Sequence, residues 1–421
     1  MATEGPFLAA IIARLPDPTF NLAAYGVAFA LAILIEAPVI MLMSAATSIV
    51  RDRVSYLKLR NFARFLSLAT TGMLLVLLIP SVYRWLTGTV IGLPVEVTEL
   101  TYGALWFFLP WPSAIGYRRF LQGVLIRAGK TRLVAWGTVV RLFVMVGAAL
   151  VGFFILDMPG AWVGGLALGT GVTVEAIVAR FMAASTVREL LDGKGDLESE
   201  GRNVTYWDIA RFYFPLALTS LIGLTIQPVL TFFMGRSIAP IESLAIFPVV
   251  HALSFFFRSM GLAFQDTAIA LMGDRFTHLP ELKRFALSLG LATTVGLSLV
   301  AFTPLSRLWF ETISGLTPEL AGFALIPLRI IVPLPFLSVL LSLQRAILVE
   351  GRRTGYITVA TAMEVGSVVV LFTTLGWGLD LVGATAAFAA FLGGRLVSNT
   401  YLLFGCREVL RAQSAPIPEG A

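Results

Sequence analysis

Residues 22–50 read LAAYGVAFALAILIEAPVIMLMSAATSIV, and Glu36 is the only charged residue in this stretch. A helix rises about 1.5 Å per residue, so roughly 20 apolar residues cross the hydrocarbon core of a bilayer, which is about 30 Å thick. The stretch is therefore predicted to span a membrane as a helix.

The rest of the chain has the same character. Of its 421 residues, 57% are apolar and only 13% are charged, which is more apolar surface than a soluble core can bury. We predict an all-α integral membrane protein with about 12 transmembrane helices, of which the first candidate, Pro6 to Leu15, has only about half the length of a crossing. The complete candidates are 22–50, 62–86, 101–126, 133–156, 160–186, 208–235, 243–272, 284–308, 319–348, 355–379 and 381–405.

An internal repeat appears when the chain is compared with itself at a shift of 222 residues. Pro6 then falls on Pro228, and Asp52 falls on Asp274. Such matches are informative because apolar identities are frequent by chance in this composition, whereas Pro and Asp identities are not. Two parallel repeats of six helices are predicted. Further matches, at a shift of 223, are Pro110 with Pro333, Pro112 with Pro335 and Asp157 with Asp380.

The repeat also predicts the division of the chain. Met1 lies opposite Gly223, inside the helix that opens the second half. The first helix is therefore expected to lack its beginning, and a start site placed too late or a trimmed sequence explains this better than a natural half-helix. The predicted regions are an N-terminal lobe at 1–187, a cytoplasmic linker at 188–206, a C-terminal lobe at 207–408 and a cytoplasmic tail at 409–421.

The basic residues of the loops predict the orientation. Lys and Arg favour the cytoplasmic side of short loops, and nearly all of them fall on one side of the predicted helices. The C-terminus is therefore expected in the cytoplasm, and a bacterial protein of this kind would lie in the inner (plasma) membrane. The basic loops include residues 51–60, 127–132, 188–202, 275–284, 352–353 and 407–411.

Several classes of function are disfavoured by composition. One cysteine and two histidines leave no disulfide framework and no zinc-binding cluster. We find no phosphate-binding glycine loop and no nucleophile elbow, so an enzyme is not expected. We also expect no nucleic-acid partner and no cofactor apart from a coupling ion, H⁺ or Na⁺. The expected partners are a small-molecule substrate and membrane lipids, and the protein is expected to be monomeric.

Four ionisable residues lie within the predicted spans, where a charge is costly and points to function by default. The repeat places Glu36 opposite Arg258 and Arg141 opposite Glu364. Each half thus carries one acid and one base with the signs exchanged. We predict that Glu36 meets Arg141 and that Arg258 meets Glu364. These pairs would either fix helix packing or exchange with protons, ions or substrate.

A polar stripe runs along one face of the eighth predicted helix, where His251, Arg258 and Gln265 recur every seven residues. Such a stripe is expected to line a cavity, although a lone histidine can also simply bond to a neighbouring helix. Gln227, beside Pro228, is a further cavity candidate because proline favours a local break. Five other residues are predicted to extend toward the cytoplasmic interface, namely Arg118, Arg119, Arg180, Arg345 and Glu350.

Four stretches resemble the progressive ankylosis protein family: Leu22–Leu31 (LAAYGVAFAL), Pro215–Leu218 (PLAL), Ile326–Leu337 (IPLRIIVPLPFL) and Gly383–Gly394 (GATAAFAAFLGG). That family is similar to the multidrug and toxin extrusion (MATE) transporters and the lipid-linked oligosaccharide flippases of the MOP superfamily. The resemblance implies a two-lobe, V-shaped, twelve-helix exporter that opens alternately to each side of the membrane.

The branches of this superfamily imply different cargo. The ankylosis branch implies export of small polyanions such as pyrophosphate, citrate or nucleotides, and the buried arginines favour this interpretation. The MATE branch implies a multidrug or cation antiporter driven by protons or sodium, with Glu36 or Glu364 as the coupling carboxylate. Two further candidates are a lipid-linked oligosaccharide flippase and a membrane scaffold without transport.

Overall fold

The computed structural model describes residues 4–192, 205–272, 276–351 and 353–414, and these residues are almost entirely helical. The helices of the first half are α1 (Glu4–Ile12), α2 (Pro18–Glu36), α3 (Leu42–Ile49), α4 (Arg53–Leu77), α5 (Pro80–Arg84), α6 (Val95–Phe107), α7 (Trp111–Arg127), α8 (Thr131–Phe154), α9 (Gly160–Met182) and α10 (Ala184–Leu191). Those of the second half are α11 (Tyr206–Leu224), α12 (Ile226–Met234), α13 (Pro240–Leu271), α14 (Leu279–Phe302), α15 (Leu305–Arg307), α16 (Pro318–Ile330), α17 (Leu334–Glu350), α18 (Gly355–Phe372) and α19 (Gly383–Ser414).

The helices confirm the prediction of an all-α membrane protein. Within the described ranges, eight helices are long and apolar enough to cross a bilayer, or up to ten if each of two bent pairs is one span. The bends measure 72° between α4 and the segment that begins at Pro80, and 40° between α16 and α17. Proline explains both breaks, because it lacks the N–H group that would continue the helix. Pro80 begins the segment after the first bend, and Pro333 precedes α17 at the second. Pro110 precedes α7 in the same way.

The internal repeat is visible in the helix boundaries. At the shift of 222, α1 coincides with α12, and at 223, α6 and α7 coincide with α16 and α17. The α1 helix has nine residues and is about 14 Å long, so it is too short to cross a bilayer alone. The predicted match of Asp52 with Asp274 lies outside the described residues. Four non-glycine residues with positive φ are also paired by the repeat: Asp17 (50°) with Ala239 (53°), and Asp157 (47°) with Asp380 (53°).

In both halves, a side chain from another helix accepts a hydrogen bond from a backbone N–H group at the start of the last long helix. Asn21 Oδ1 accepts a hydrogen bond of 2.9 Å from the backbone N–H of Ala161, and Ser243 Oγ accepts one of 3.0 Å from that of Ala384. The first N–H groups of a helix have no partner within it, so a buried helix start needs such an acceptor. The glycine at the start of α9 allows the close approach, since a Cβ on Gly160 would lie 2.9 Å from a methyl carbon of Ile12.

Asn21→Ala is expected to lower the stability of the protein by about 1–3 kcal/mol, because the buried Ala161 N–H would lose its acceptor. The melting temperature of the purified protein measures this loss. Asn21→Ser, which keeps an acceptor and copies the residue used in the second half, should lose less. Equal losses in the two variants would show that the hydrogen bond contributes little.

Contacts divide the chain into two compact units. The first contains residues 11–232, and the second contains residues 233–414 together with residues 4–10 of α1. The α11 helix belongs to the first unit, where the Tyr213 hydroxyl donates to the Pro38 carbonyl oxygen and the Tyr213 ring packs edge-on against Phe62. The predicted linker at 188–206 lies mostly in residues 193–204, outside the described ranges, so the predicted lobe limits remain a prediction. In the predicted tail, α19 continues as far as Ser414.

Candidate functional site

The four ionisable residues predicted inside the membrane are all buried. The exposed fractions are 7% for Glu36, 5% for Arg141, 5% for Arg258 and 2% for Glu364. Two belong to the first unit and two to the second. Their partners, however, differ from those predicted from the sequence.

In the first unit, the buried carboxylate of Glu175 on α9 gathers three donors. Arg118 Nη1 lies 2.5 Å and Arg141 Nη1 lies 3.6 Å from Glu175 Oε2, and Gln122 Nε2 donates to Oε1 at 3.3 Å. The predicted pairing of Arg141 with Glu36 is therefore corrected, since Arg141 lies beside Glu175. The reason is that α8 packs along α9, the next helix in the chain, and turns Arg141 toward it. Arg118 does not extend to the interface as predicted, because α7 packs against α9 and Arg118 is 1% exposed.

Glu36 binds a different type of donor. Its Oε2 accepts a hydrogen bond from the indole Nε1 of Trp111, the first residue of α7. Glu36 ends α2, where the helix tightens into a 3₁₀ turn at Ala37–Val39. Arg119 interacts with this carboxyl electrostatically. The structure shows no cation in ion-pair contact with Glu36 among the described residues.

In the second unit, Glu364 on α18 pairs with Arg395 on α19. Arg395 Nε donates to Glu364 Oε1 at 2.9 Å, and Arg395 Nη2 lies 2.8 Å from the same oxygen. The predicted pairing of Glu364 with Arg258 is thus corrected as well. Again the two residues lie on helices that are consecutive in the chain and packed along each other. In each half, therefore, two consecutive helices carry one buried acid and one buried base that pair with each other. In the first half the base is on α8 and the acid is on α9, and in the second half the acid is on α18 and the base is on α19.

Arg258 on α13 has no carboxylate in ion-pair contact within the described part of the chain. Its Nε donates to Ser338 Oγ at 3.1 Å, and its guanidinium carbon lies 5.0 Å from the centre of the Phe391 ring. Arg395 lies 5.8 Å from the centre of the same ring. One amino group of Arg258, Nη1, is buried and has no hydrogen-bond partner among the described residues. Two guanidinium groups thus share one aromatic ring, and of the two, Arg395 is the one with a carboxylate partner in the described ranges.

His251 lies in a group of aromatic rings one step along the predicted polar stripe. Its ring centre is 5.8 Å from that of Phe247, 6.2 Å from that of Phe255 and 6.5 Å from that of Phe391. Phe391 therefore contacts both His251 and Arg258, so the structure brings these two predicted residues together. Gln265 is half-buried two turns further along α13, and Gln227 is half-buried in α12, two residues after the helix break at Thr225.

The buried ionisable residues form one cluster in each unit, and the balance of charge differs between the two clusters. In the first unit three bases, Arg118, Arg119 and Arg141, accompany two acids, Glu175 and Glu36. In the second unit Arg258 and Arg395 accompany the acid Glu364. Arg345, whose Nη2 donates to Thr361 Oγ1 at 3.4 Å, adds a third positive charge that interacts with Glu364. Counted over the described residues, the second cluster, with three bases and one acid, therefore has the larger excess of positive charge.

Sequence reasoning missed Glu175, Arg395, Trp111 and Ser338. The sequence did indicate Glu175 and Arg395, because each is an ionisable residue inside an apolar segment. Glu175 lies in 160–186 and Arg395 lies in 381–405. Trp111 and Ser338 carried no such signal, because tryptophan and serine are common in membrane helices. In the part of the chain that the structure describes, no group of three or more His, Cys, Asp or Glu side chains is arranged to hold a metal ion.

No family model and no curated protein sequence matches the chain. Solved structures do match over nearly its whole length. An inward-facing MATE family multidrug resistance transporter of the MOP superfamily has a TM-score of 0.76 at 17% identity, covering 98% of this chain and 96% of that one. The lipid II flippase MurJ in an inward closed conformation has a TM-score of 0.72 at 15% identity, with coverages of 98% and 88%. The MATE multidrug transporter DinF-BH, solved in complex with a ligand, has a TM-score of 0.64 at 12% identity, with coverages of 98% and 93%.

These similarities establish the fold. The chain has the fold of the MATE transporters and of the MOP superfamily, as the resemblance implied. Members with this fold have been solved in both inward-facing and outward-facing conformations. The progressive ankylosis branch is not singled out by the comparisons, and the neighbours differ in cargo.

Proposed function

We propose that the protein is a secondary-active exporter of small organic or inorganic polyanions, of the pyrophosphate, citrate or nucleotide type. The observation that carries this proposal is the buried guanidinium of Arg258, which has an unpartnered Nη1 and no carboxylate in ion-pair contact among the described residues. A cation at this depth is costly unless an anion or a polar cavity compensates it. A carboxylate or phosphate of the cargo would supply the missing acceptor.

The surroundings of Arg258 support binding that is reversible. Phe391 offers a ring face to the guanidinium, a contact worth about 0.5–2 kcal/mol. Ser338 fixes the orientation of the group through Nε and leaves Nη1 for a ligand. The Glu364 carboxylate, held on Arg395, limits the net positive charge and would favour release of the anion.

A second candidate function is a proton- or sodium-coupled multidrug or cation antiporter. It is favoured by Glu36, a buried carboxylate whose described hydrogen bond is to an indole rather than to a cation. Several of the neighbours in fold are multidrug transporters. A third candidate, a lipid-linked oligosaccharide flippase, is supported by the likeness to the lipid II flippase MurJ.

The topology proposed with this function is a monomer in the plasma membrane with a cytoplasmic C-terminus. The basic loops around Arg127, Lys130 and Arg132 support it through the cytoplasmic preference of Lys and Arg. A reporter fused after residue 421 tests the orientation. An active periplasmic reporter such as alkaline phosphatase at this position would reverse the proposed topology.

Transport by the purified protein in liposomes tests the cargo. Citrate, pyrophosphate and a cationic dye are compared side by side, each with and without a proton gradient or a sodium gradient. Faster movement of an anion than through protein-free liposomes is the expected result. Movement of the dye alone would favour the antiporter, and transfer of a fluorescent lipid-linked sugar alone would favour the flippase.

A further inference from the structure

A groove between α4 and α7 in the first unit stands apart from the buried charge clusters. Its volume is about 240 Å³. The residues facing it recur at helical spacing on both helices, so two continuous faces form its walls. The main contributors are Arg60, Arg64, Ser67 and Leu68 from α4 and Ser113 and Tyr117 from α7.

The groove carries positive charge that the described residues do not balance. Arg60 and Arg64 are one helical turn apart, and neither is in ion-pair contact with a carboxylate within the described ranges. Arg60 Nη2 donates to the neutral Asn61 side chain at 3.3 Å, and Arg60 Nε is buried with no partner in the described part of the chain. The acid of the short helix α10, Glu189, lies 3.7 Å from Lys130 instead. The sequence of α4 itself contains no acidic residue.

The position of the groove along α4 coincides with a change in the helix surface. Toward the N-terminus the helix is basic, with Arg53 and Lys58, and the loop charges predict that this end is cytoplasmic. Immediately beyond Arg64, large apolar side chains are exposed, with Phe65 at 71% and Leu68 at 70%. An exposed apolar surface on a membrane helix faces lipid tails, so Arg60 and Arg64 lie at the level of the lipid phosphates.

We infer that this groove binds an anionic glycerophospholipid. The headgroup phosphate lies between the guanidinium groups of Arg60 and Arg64, which suit phosphate because they form paired, charge-assisted hydrogen bonds. One acyl chain follows the apolar wall at Leu68 toward the membrane centre. A soluble phosphate would meet the arginines but would leave this apolar wall unused, so the lipid is the better fit.

The test uses the purified full-length protein and short-chain lipids. Phosphatidylglycerol is titrated against it in detergent, with phosphatidylcholine as the comparison without net charge, and bound lipid is counted by native mass spectrometry. We expect preferential retention of phosphatidylglycerol by the wild type. The double variant Arg60→Gln/Arg64→Gln should weaken that retention at least tenfold. The matched control Arg51→Gln/Arg53→Gln removes the same charge from the same end of the segment but outside the groove, and should retain the lipid.

A second variant, Leu68→Trp, fills the apolar wall without changing charge and should also weaken retention. It keeps the test informative if the double variant folds poorly. Glycerol 3-phosphate, added in excess, should compete weakly, since it lacks acyl chains. Equal retention of the two lipids, an equal loss in the control variant, or full competition by glycerol 3-phosphate would each overturn the inference.

Discussion

Glu175→Gln should remove most of the folded protein. In the wild type, the carboxylate of Glu175 is buried with Arg118 at 2.5 Å and Arg141 at 3.6 Å. Neutralising it leaves two guanidinium groups close together in a medium of low dielectric constant. Removing one partner of a buried pair typically costs about 3–5 kcal/mol, which is a large part of the stability of an ordinary domain. The yield of monodisperse protein and its melting temperature measure the loss.

The matched control for this variant is Glu189→Gln. Glu189 lies 3.7 Å from Lys130, but its side chain is 57% exposed, so water screens the pair. An exposed pair contributes only about 0–1 kcal/mol, and the control is expected to fold normally. The double variant Glu175→Gln/Arg118→Gln should recover part of the loss, because one of the stranded charges is removed with its partner. Normal folding of Glu175→Gln alone would mean that water or another group already compensates the two arginines.

Arg258→Gln should have the opposite profile, with stability retained and transport lost. No described carboxylate is in ion-pair contact with Arg258, so its neutralisation strands no charge in the described ranges. Ser338 keeps a hydrogen bond without it, because its hydroxyl donates to the Leu334 carbonyl oxygen at 2.8 Å. If the guanidinium binds the cargo, the rate of anion transport should fall tenfold or more, equivalent to about 1.4 kcal/mol or more of lost interaction. Transport in liposomes and melting temperature are measured on the same preparation.

Arg395→Gln is the matched control for Arg258→Gln, since both arginines lie against the Phe391 ring. Arg395 holds Glu364 at 2.8 Å, so its removal strands a buried carboxylate and should destabilise the protein by about 3–5 kcal/mol. Arg258→Lys should restore part of the transport, because it keeps the charge but not the planar fork of donors. Unchanged transport of every anion in Arg258→Gln would remove the basis for an anion site in the second unit.

The repeat explains why the two units carry different chemistry on one fold. Glu36 and Arg258 occupy equivalent positions, as do Arg141 and Glu364. The sign of the charge is exchanged at both positions, and the charged partner of the second position changes sign with it, from Glu175 to Arg395. One backbone thus offers a buried carboxylate next to an indole in the first unit and a buried guanidinium next to a serine in the second.

The sequence by itself determined the fold class, the positions of the helices and the internal repeat. Length and apolar composition are sufficient for this, because a span must bond all its backbone groups internally and cover the hydrocarbon core. The match of Pro110 with Pro333 was also read from the sequence, but the helix breaks beside these prolines were not, since 101–126 and 319–348 were each predicted as one span. The burial of Glu36, Arg141, Arg258 and Glu364 followed from their place inside apolar segments.

Only the tertiary structure decided which of these charges meet. In a soluble helix the apolar face identifies the side that packs, but in a membrane helix lipid-facing and protein-facing sides are both apolar. The sequence therefore does not define the rotation of α8 or α18 about its axis. Packing of α8 along α9 and of α18 along α19 turned Arg141 to Glu175 and Glu364 to Arg395, and left Glu36 with Trp111 and Arg258 with Ser338.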